Sequence, residues 1–211
     1  LGNATGRSST KYGLIWGGVC ADWGDVQEHF SQTGGCQIGP QSTIAINPYA
    51  NGMYIIAMKN YAQLLEATNP DEARIWRARA NVTGEAMMRH LWMDAQQKFV
   101  PHLYDIGPVC GDSGGSTKYE CWPSTPSPFL NIPNFTEQDI YYHGATTIAI
   151  EAGLLSRAQV REALARMRAN VAAAAALPGS HGQKLTIGLT MWPPYPDAAF
   201  GPPGCNGTIP G

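Results

Sequence analysis

Charge is the scarcest feature of this chain: only 14% of its 211 residues are charged, and 14 Lys+Arg against 16 Asp+Glu leave a net charge of −2. A near-neutral chain without a basic cluster lacks the electrostatic footprint of a nucleic-acid binder. Long apolar runs are missing too. None reaches the roughly 18–20 residues that cross a bilayer, so no membrane span is expected. No C-x-x-C pair occurs, and no histidine sits at finger spacing, so no metal and no cofactor are expected. A phosphate-cradling glycine loop, a nucleophile elbow and a zinc-protease helix are all absent.

What is abundant is punctuation and apolar mass. Gly and Pro supply 24 and 16 positions, and 44% of residues are hydrophobic, which excludes a disordered chain and predicts heavy loop content. Four N-x-[ST] sequons, at Asn3, Asn81, Asn134 and Asn206, stand beside five cysteines. Together they point to a secreted, extracellular glycoprotein whose leader has been removed. Cys20 with Cys36, and Cys110 with Cys121, would each close a short loop, leaving Cys205 to pair elsewhere.

Four helices are expected. Asn47-Pro48 supplies an N-cap and a first-turn proline. After it, Met53, Ile56, Ala57 and Leu64 share one face while Tyr54, Met58, Tyr61 and Leu65 share another, so this helix should be buried on two sides. Asn69-Pro70 starts the second helix, which runs to about Trp92 with Trp76, Ala80, Thr83, Met87 and Leu91 as its inward stripe. Thr136 with Asp139 predicts a cap for a third helix, and Ser156 with Gln159 predicts a capping box for a fourth. The organisation expected is a cleft loop (11–46), a first hairpin (47–104), a long loop (105–135), a second hairpin (136–178) and a Pro/Gly-rich tail (179–211). Strand signals are few, with 184–191 the one moderate candidate. The fold class is therefore all-α: helical hairpins joined by long, disulfide-braced loops.

The densest chemistry is Asp22-Trp23-Gly24-Asp25, two carboxylates around an indole in a glycine-rich segment. Aromatic faces stack on sugar rings, and carboxylates serve as acid, base or hydroxyl ligands. One of Asp22 and Asp25 is expected to act in catalysis and the other to grip a sugar hydroxyl. Asp112, Glu120 and Asp139 are candidates for a second carboxylate. Trp122 and Trp192 are candidate stacking platforms, and Tyr141, Tyr142 and His143 form a Tyr/His group on an inner helix.

Several stretches resemble the six-hairpin (α/α)6 toroid glycosidases: Tyr12-Gly-Leu-Ile with Ala21-Asp-Trp-Gly-Asp-Val-Gln, Trp76-Arg-Ala-Arg-Ala, Phe99-Val-Pro-His-Leu-Tyr, and Gly188-Leu-Thr-Met-Trp-Pro-Pro-Tyr-Pro-Asp. The resemblance covers most of the chain from about residue 11 onward. It implies an α-toroid whose cleft hydrolyses glycosidic bonds of oligo- or polysaccharides, usually with inversion. By the same resemblance Trp16, His102, Tyr104 and His143 line the cleft, and with the loop indoles Trp23 and Trp122 they are the residues expected to bind substrate. Only two hairpins of six are recognisable, so an incomplete toroid is expected. The alternative is a non-catalytic, carbohydrate-binding or assembly glycoprotein on the same frame, and a polysaccharide lyase is the third reading.

Overall fold

The computed structural model describes residues 10–18, 44–112, 119–123, 126–127, 130, 133–177 and 191–194. These residues are mostly helical, in two hairpins with short strand pairs between and around them. Asp22, Trp23, Asp25, Cys20, Cys36, Cys205, Asn3, Asn206 and most of the expected strand at 184–191 lie outside the described residues.

The first strand pair is antiparallel, β1 (Gly17–Gly18) on β2 (Ile44–Ala45). Helix α1 (Pro48–Leu65) begins where Asn47 accepts a hydrogen bond from the Ala50 amide at 2.7 Å, with Pro48 in the first turn, as expected. Asn51, fully buried, treats the extended chain as a strand partner. Its carboxamide oxygen accepts from the Ile15 amide at 2.9 Å, and its nitrogen donates to the Ile15 carbonyl at 3.0 Å. This clasp seats Leu14 and Trp16 in the main core, beside Ile44, Ile46, Ile55, Met87 and Leu91. Burying each such side chain contributes roughly 1.5–3 kcal/mol.

Helix α2 (Pro70–Leu91) is capped by Asn69, whose oxygen accepts from the Glu72 amide at 3.3 Å. Ala80, Thr83, Met87 and Leu91 of the expected stripe are buried, and Trp76 is half-buried. The arginines face solvent: Arg77 pairs with Glu66, and Arg74 with Asp71. A strand pair, β3 (Trp92–Met93) with β4 (Lys98–Phe99), follows around a single 3-10 turn.

Two expectations are corrected here. Within the long loop, β5 (Val109–Asp112) and β6 (Tyr119–Trp122) form an antiparallel hairpin, where no strand was expected. Cys110 sits opposite Cys121 in that hairpin, and the two are disulfide-bonded. Second, residues 137–139 make only one 3-10 turn, and the Thr136 side chain does not cap it. Strand β7 (Tyr141–Tyr142) intervenes, and helix α3 starts at its own first residue, His143–Glu151, rather than near Thr136.

Helix α3 ends in a Schellman motif around Gly153, which takes φ +70: the Leu154 amide donates to Ala149 at 3.0 Å and the Gly153 amide to Ile150 at 2.9 Å. Lys59 of α1 donates to the Ala152 carbonyl at 2.5 Å, placing a cation at that helix's negative end. Helix α4 (Arg157–Ala175) opens with the expected Ser156–Gln159 capping box. Strand β8 (Met191–Trp192) pairs with β7.

Helix α1 packs against both α2 and α3. Gly52 allows the second crossing, because a Cβ there would lie 2.5 Å from Ile148 Cγ2. The face that turns inward carries Asn51, Gly52, Ile55, Met58 and Ala62. Of the first expected face, Met53, Ala57 and Leu64 are exposed and Ile56 is half-buried. Of the second, Met58 is buried, Tyr54 and Leu65 are half-buried and Tyr61 is exposed. Helix α1 therefore has helices against it on two sides, but not along the first of the faces expected.

Candidate functional site

Where α1 starts, the chain makes a single bridge to the segment after the β3–β4 pair. The Ile46 amide donates to the Leu103 carbonyl at 3.0 Å, and the Leu103 amide returns the bond at 2.9 Å. With Leu103 pinned, His102 and Tyr104 project to the other side together, because extended backbone alternates with period two. Both are buried, His102 at 2% exposure.

They converge on a carboxylate absent from the expected set. Glu137, 5% exposed, is the first residue of the 3-10 turn that precedes β7. Its Oε1 lies 2.5 Å from His102 Nδ1, and the Tyr104 hydroxyl donates to Oε1 at 3.1 Å and Oε2 at 3.0 Å. A carboxylate facing Nδ1 fixes the proton on that nitrogen and leaves Nε2 as the imidazole's second, open position. Nε2 is buried and makes no hydrogen bond. Burial, then the charge of Glu137 and its hydrogen bond, push the Tyr104 phenol far above its ordinary pKa, so it remains a proton donor. The Tyr142 ring stands edge-on to His102 with centroids 6.2 Å apart.

The turn that carries Glu137 is itself anchored. Buried Lys98 of β4 donates to the carbonyls of Gln138 and, at 3.1 Å, Ile140. Burial pulls the Lys98 pKa down, with the Asp139 charge opposing that effect and Arg166 adding to it. The Glu137 side chain therefore turns inward from a polar stretch, Thr136-Glu-Gln-Asp, that reads in sequence as a solvated helix start, and Lys98 turns inward from β4 toward the carbonyls of that turn. No local signal marked them. Their partners are 33 to 42 residues distant.

The expected site residues distribute as follows. His102 and Tyr104 belong to the buried cluster. Trp16 sits in the main core at 4% exposure. His143 lies at the start of α3, on the far face of β7 from Tyr142, where its Nε2 meets Asn170 Nδ2 at 3.0 Å; burial lowers its pKa. Trp122, Asp112 and Glu120 lie on the β5–β6 hairpin. Asp139 is exposed, in the same turn as Glu137. Of the sequons, Asn81 is exposed on α2, and Asn134 is exposed in a turn with φ 57. Among the described residues no group of His, Cys, Asp and Glu is placed to hold a metal ion, and no helix is long and apolar enough to cross a membrane.

Chemically, the cluster is a buried carboxylate that orients an imidazole and a phenol toward each other. Such a set holds a proton donor and a proton acceptor in fixed positions, the arrangement acid/base chemistry requires. No family model matches the chain, and neither does any curated protein or solved structure.

Proposed function

We propose that the chain is a secreted glycoside hydrolase-like protein that cleaves glycosidic bonds of oligo- or polysaccharides by acid/base catalysis. In this reading the two hairpins belong to an (α/α) toroid. The carrying observation is the buried Glu137 carboxylate held by His102 and Tyr104. Glycosidic cleavage uses two carboxyl groups in distinct environments. Asp22 or Asp25 supplies one, and Glu137 is the second that the sequence alone did not rank. His102 and Tyr104 hold its orientation and its hydrogen bonding.

The test is release of reducing ends from a panel of polysaccharides by the wild type and by Asp22→Asn, Asp25→Asn and Glu137→Gln. Glu137→Gln and at least one of the aspartate variants are expected to lose about 100-fold or more in turnover while remaining folded. Wild-type rates in all three overturn the reading. Binding without turnover by the wild type replaces it with the non-catalytic, carbohydrate-binding alternative. A second reading, β-elimination by a polysaccharide lyase, draws on His102, Tyr104 and Tyr142 gathering in one place. It is separated by its product, since elimination leaves an unsaturated, ultraviolet-absorbing sugar end and hydrolysis does not.

A further inference from the structure

The segment 98–104 grips the turn at 137–140 by two different means. His102 and Tyr104 take the Glu137 carboxylate, while Lys98, at the start of the same segment, takes the main chain. Its ammonium donates to the Gln138 carbonyl and, at 3.1 Å, to the Ile140 carbonyl. The turn's own amides are spent inside it: Asp139 donates to Thr136 at 2.9 Å, and Ile140 to Glu137 at 3.0 Å. Those bonds shape the turn without fixing where it lies.

Lys98 is mounted on a frame that does not depend on the turn. It pairs with Met93 across the β3–β4 ladder, and its neighbour Phe99 lies in the main core. The Val100 amide continues the pairing by donating to the Leu91 carbonyl at 2.7 Å. Lys98 itself is 5% exposed, and among the described residues it makes no ion pair. An ammonium taken out of water is unfavourable unless its donors are satisfied. Both acceptors given to this one belong to the turn that carries Glu137.

We infer that Lys98 is a positioning residue for the Glu137 site: by holding the Gln138 and Ile140 carbonyls, it sets the place from which the Glu137 carboxylate reaches His102 Nδ1. It makes no ion pair with Glu137, so it acts through the backbone. With the turn's backbone held, only side-chain torsions remain to bring the carboxylate to the imidazole. Without that grip, Thr136-Glu-Gln-Asp is left to the solvated course its letters favour. The inference rests on the reading of Glu137 as a working carboxylate and adds the residue that keeps it in register.

The experiment follows the proton between His102 and Glu137 by NMR of the full chain labelled with nitrogen-15 at histidine. A proton held on Nδ1 against a carboxylate resonates far downfield of free imidazole protons, and its absence in His102→Gln assigns it. Lys98→Met keeps the length of the side chain and removes its donors. The expected result is a variant folded by near-ultraviolet circular dichroism in which this resonance is lost or moves upfield. On a polysaccharide that the wild type cleaves, kcat should fall about 10- to 100-fold at nearly unchanged KM. Lys98→Gln, which keeps an amide donor on a shorter stem, should move the resonance less, and it decides by the same signal should Lys98→Met not fold. An unmoved resonance in the folded variant overturns the inference even where the melting temperature falls, because Lys98 then only stabilises. A wild type without the resonance overturns it too, since the pair that Lys98 sets is then not formed. Failure of the hydrolase reading looks different: the wild type cleaves no polysaccharide, yet the resonance is present and is lost in Lys98→Met.

Discussion

Replacing Glu137 by alanine removes the acceptor that His102 Nδ1 and the Tyr104 hydroxyl share, and both donors are buried. Each buried donor left unpaired costs about 1–3 kcal/mol, and hydrogen bonds to a charged group lie toward the upper part of that range. The loss for Glu137→Ala is therefore about 3–5 kcal/mol. Glutamine is a milder change. Its amide oxygen takes the place of Oε1, which accepts from both His102 and the Tyr104 hydroxyl, so both donors keep an acceptor and what is lost is the second Tyr104 bond and charge assistance, about 1–2 kcal/mol. For a chain of this size 1 kcal/mol moves the melting temperature by roughly 2–4 °C, so alanine should lower it by about 10 °C and glutamine by less than half of that. Urea unfolding followed by tryptophan fluorescence measures both, and an unchanged slope confirms that the comparison is one of stability. If alanine and glutamine prove equally stable, or if alanine lies within about 1 kcal/mol of the wild type, the Glu137 hydrogen bonds to His102 and Tyr104 do not carry the stability assigned to them.

Other perturbations test the frame. Gly52→Ala drives a methyl into Ile148 Cγ2, and overpacking of about 1–3 kcal/mol exceeds the gain in helix propensity of about 1 kcal/mol; combining it with Ile148→Ala should recover at least about 1 kcal/mol, and a Gly52→Ala protein as stable as wild type refutes the close crossing. Ser156→Ala removes the α4 capping box and should cost about 1 kcal/mol by thermal melt, with no loss if the bond is absent in solution. Replacing Cys110 and Cys121 together by serine opens a loop of 11-residue separation and should lower stability by about 3 kcal/mol on chain-entropy grounds, measured against wild type without reductant. The His143 pKa is lowered by burial, so its neutral form is the one that folds: its contribution is complete above the ordinary histidine value and is lost as pH falls through the folded value. Melting temperature should therefore fall less steeply from about pH 7 to 5 in His143→Gln than in wild type; parallel curves would refute the assignment.

Much of the helical frame is legible from local chemistry. Asn47-Pro48, Asn69-Pro70 and the Ser156–Gln159 pair each start a helix where their side-chain hydrogen bonds predict. These signals work because a cap is satisfied within three residues. Thr136–Asp139 has the same letters and fails, since Lys98 takes the Gln138 and Ile140 carbonyls and His102 takes Glu137, so tertiary partners outcompete the helix. The β5–β6 hairpin escapes for a related reason: Cys110, Gly111 and Glu120 show no clean alternation, and strand pairing rather than propensity decides it. Of the candidate site, His102 and Tyr104 are among the residues expected from the sequence and stand in the cluster. Glu137 could not be ranked, because what distinguishes it is enclosure by residues distant along the chain.

The disulfide hairpin also has a topological consequence. His102 and Glu137 are separated by 35 residues, and the Cys110–Cys121 crosslink lies inside that stretch. A chain with an internal shortcut has a smaller contour to close. Shortening the path by a span of 11 reduces the entropy of bringing the imidazole to the carboxylate by about 0.3 kcal/mol, since closure depends only on the logarithm of length. Oxidation thus bears on how readily the unfolded chain is restrained far more than on how readily these two side chains meet, and the folded cluster should keep its geometry in either redox state.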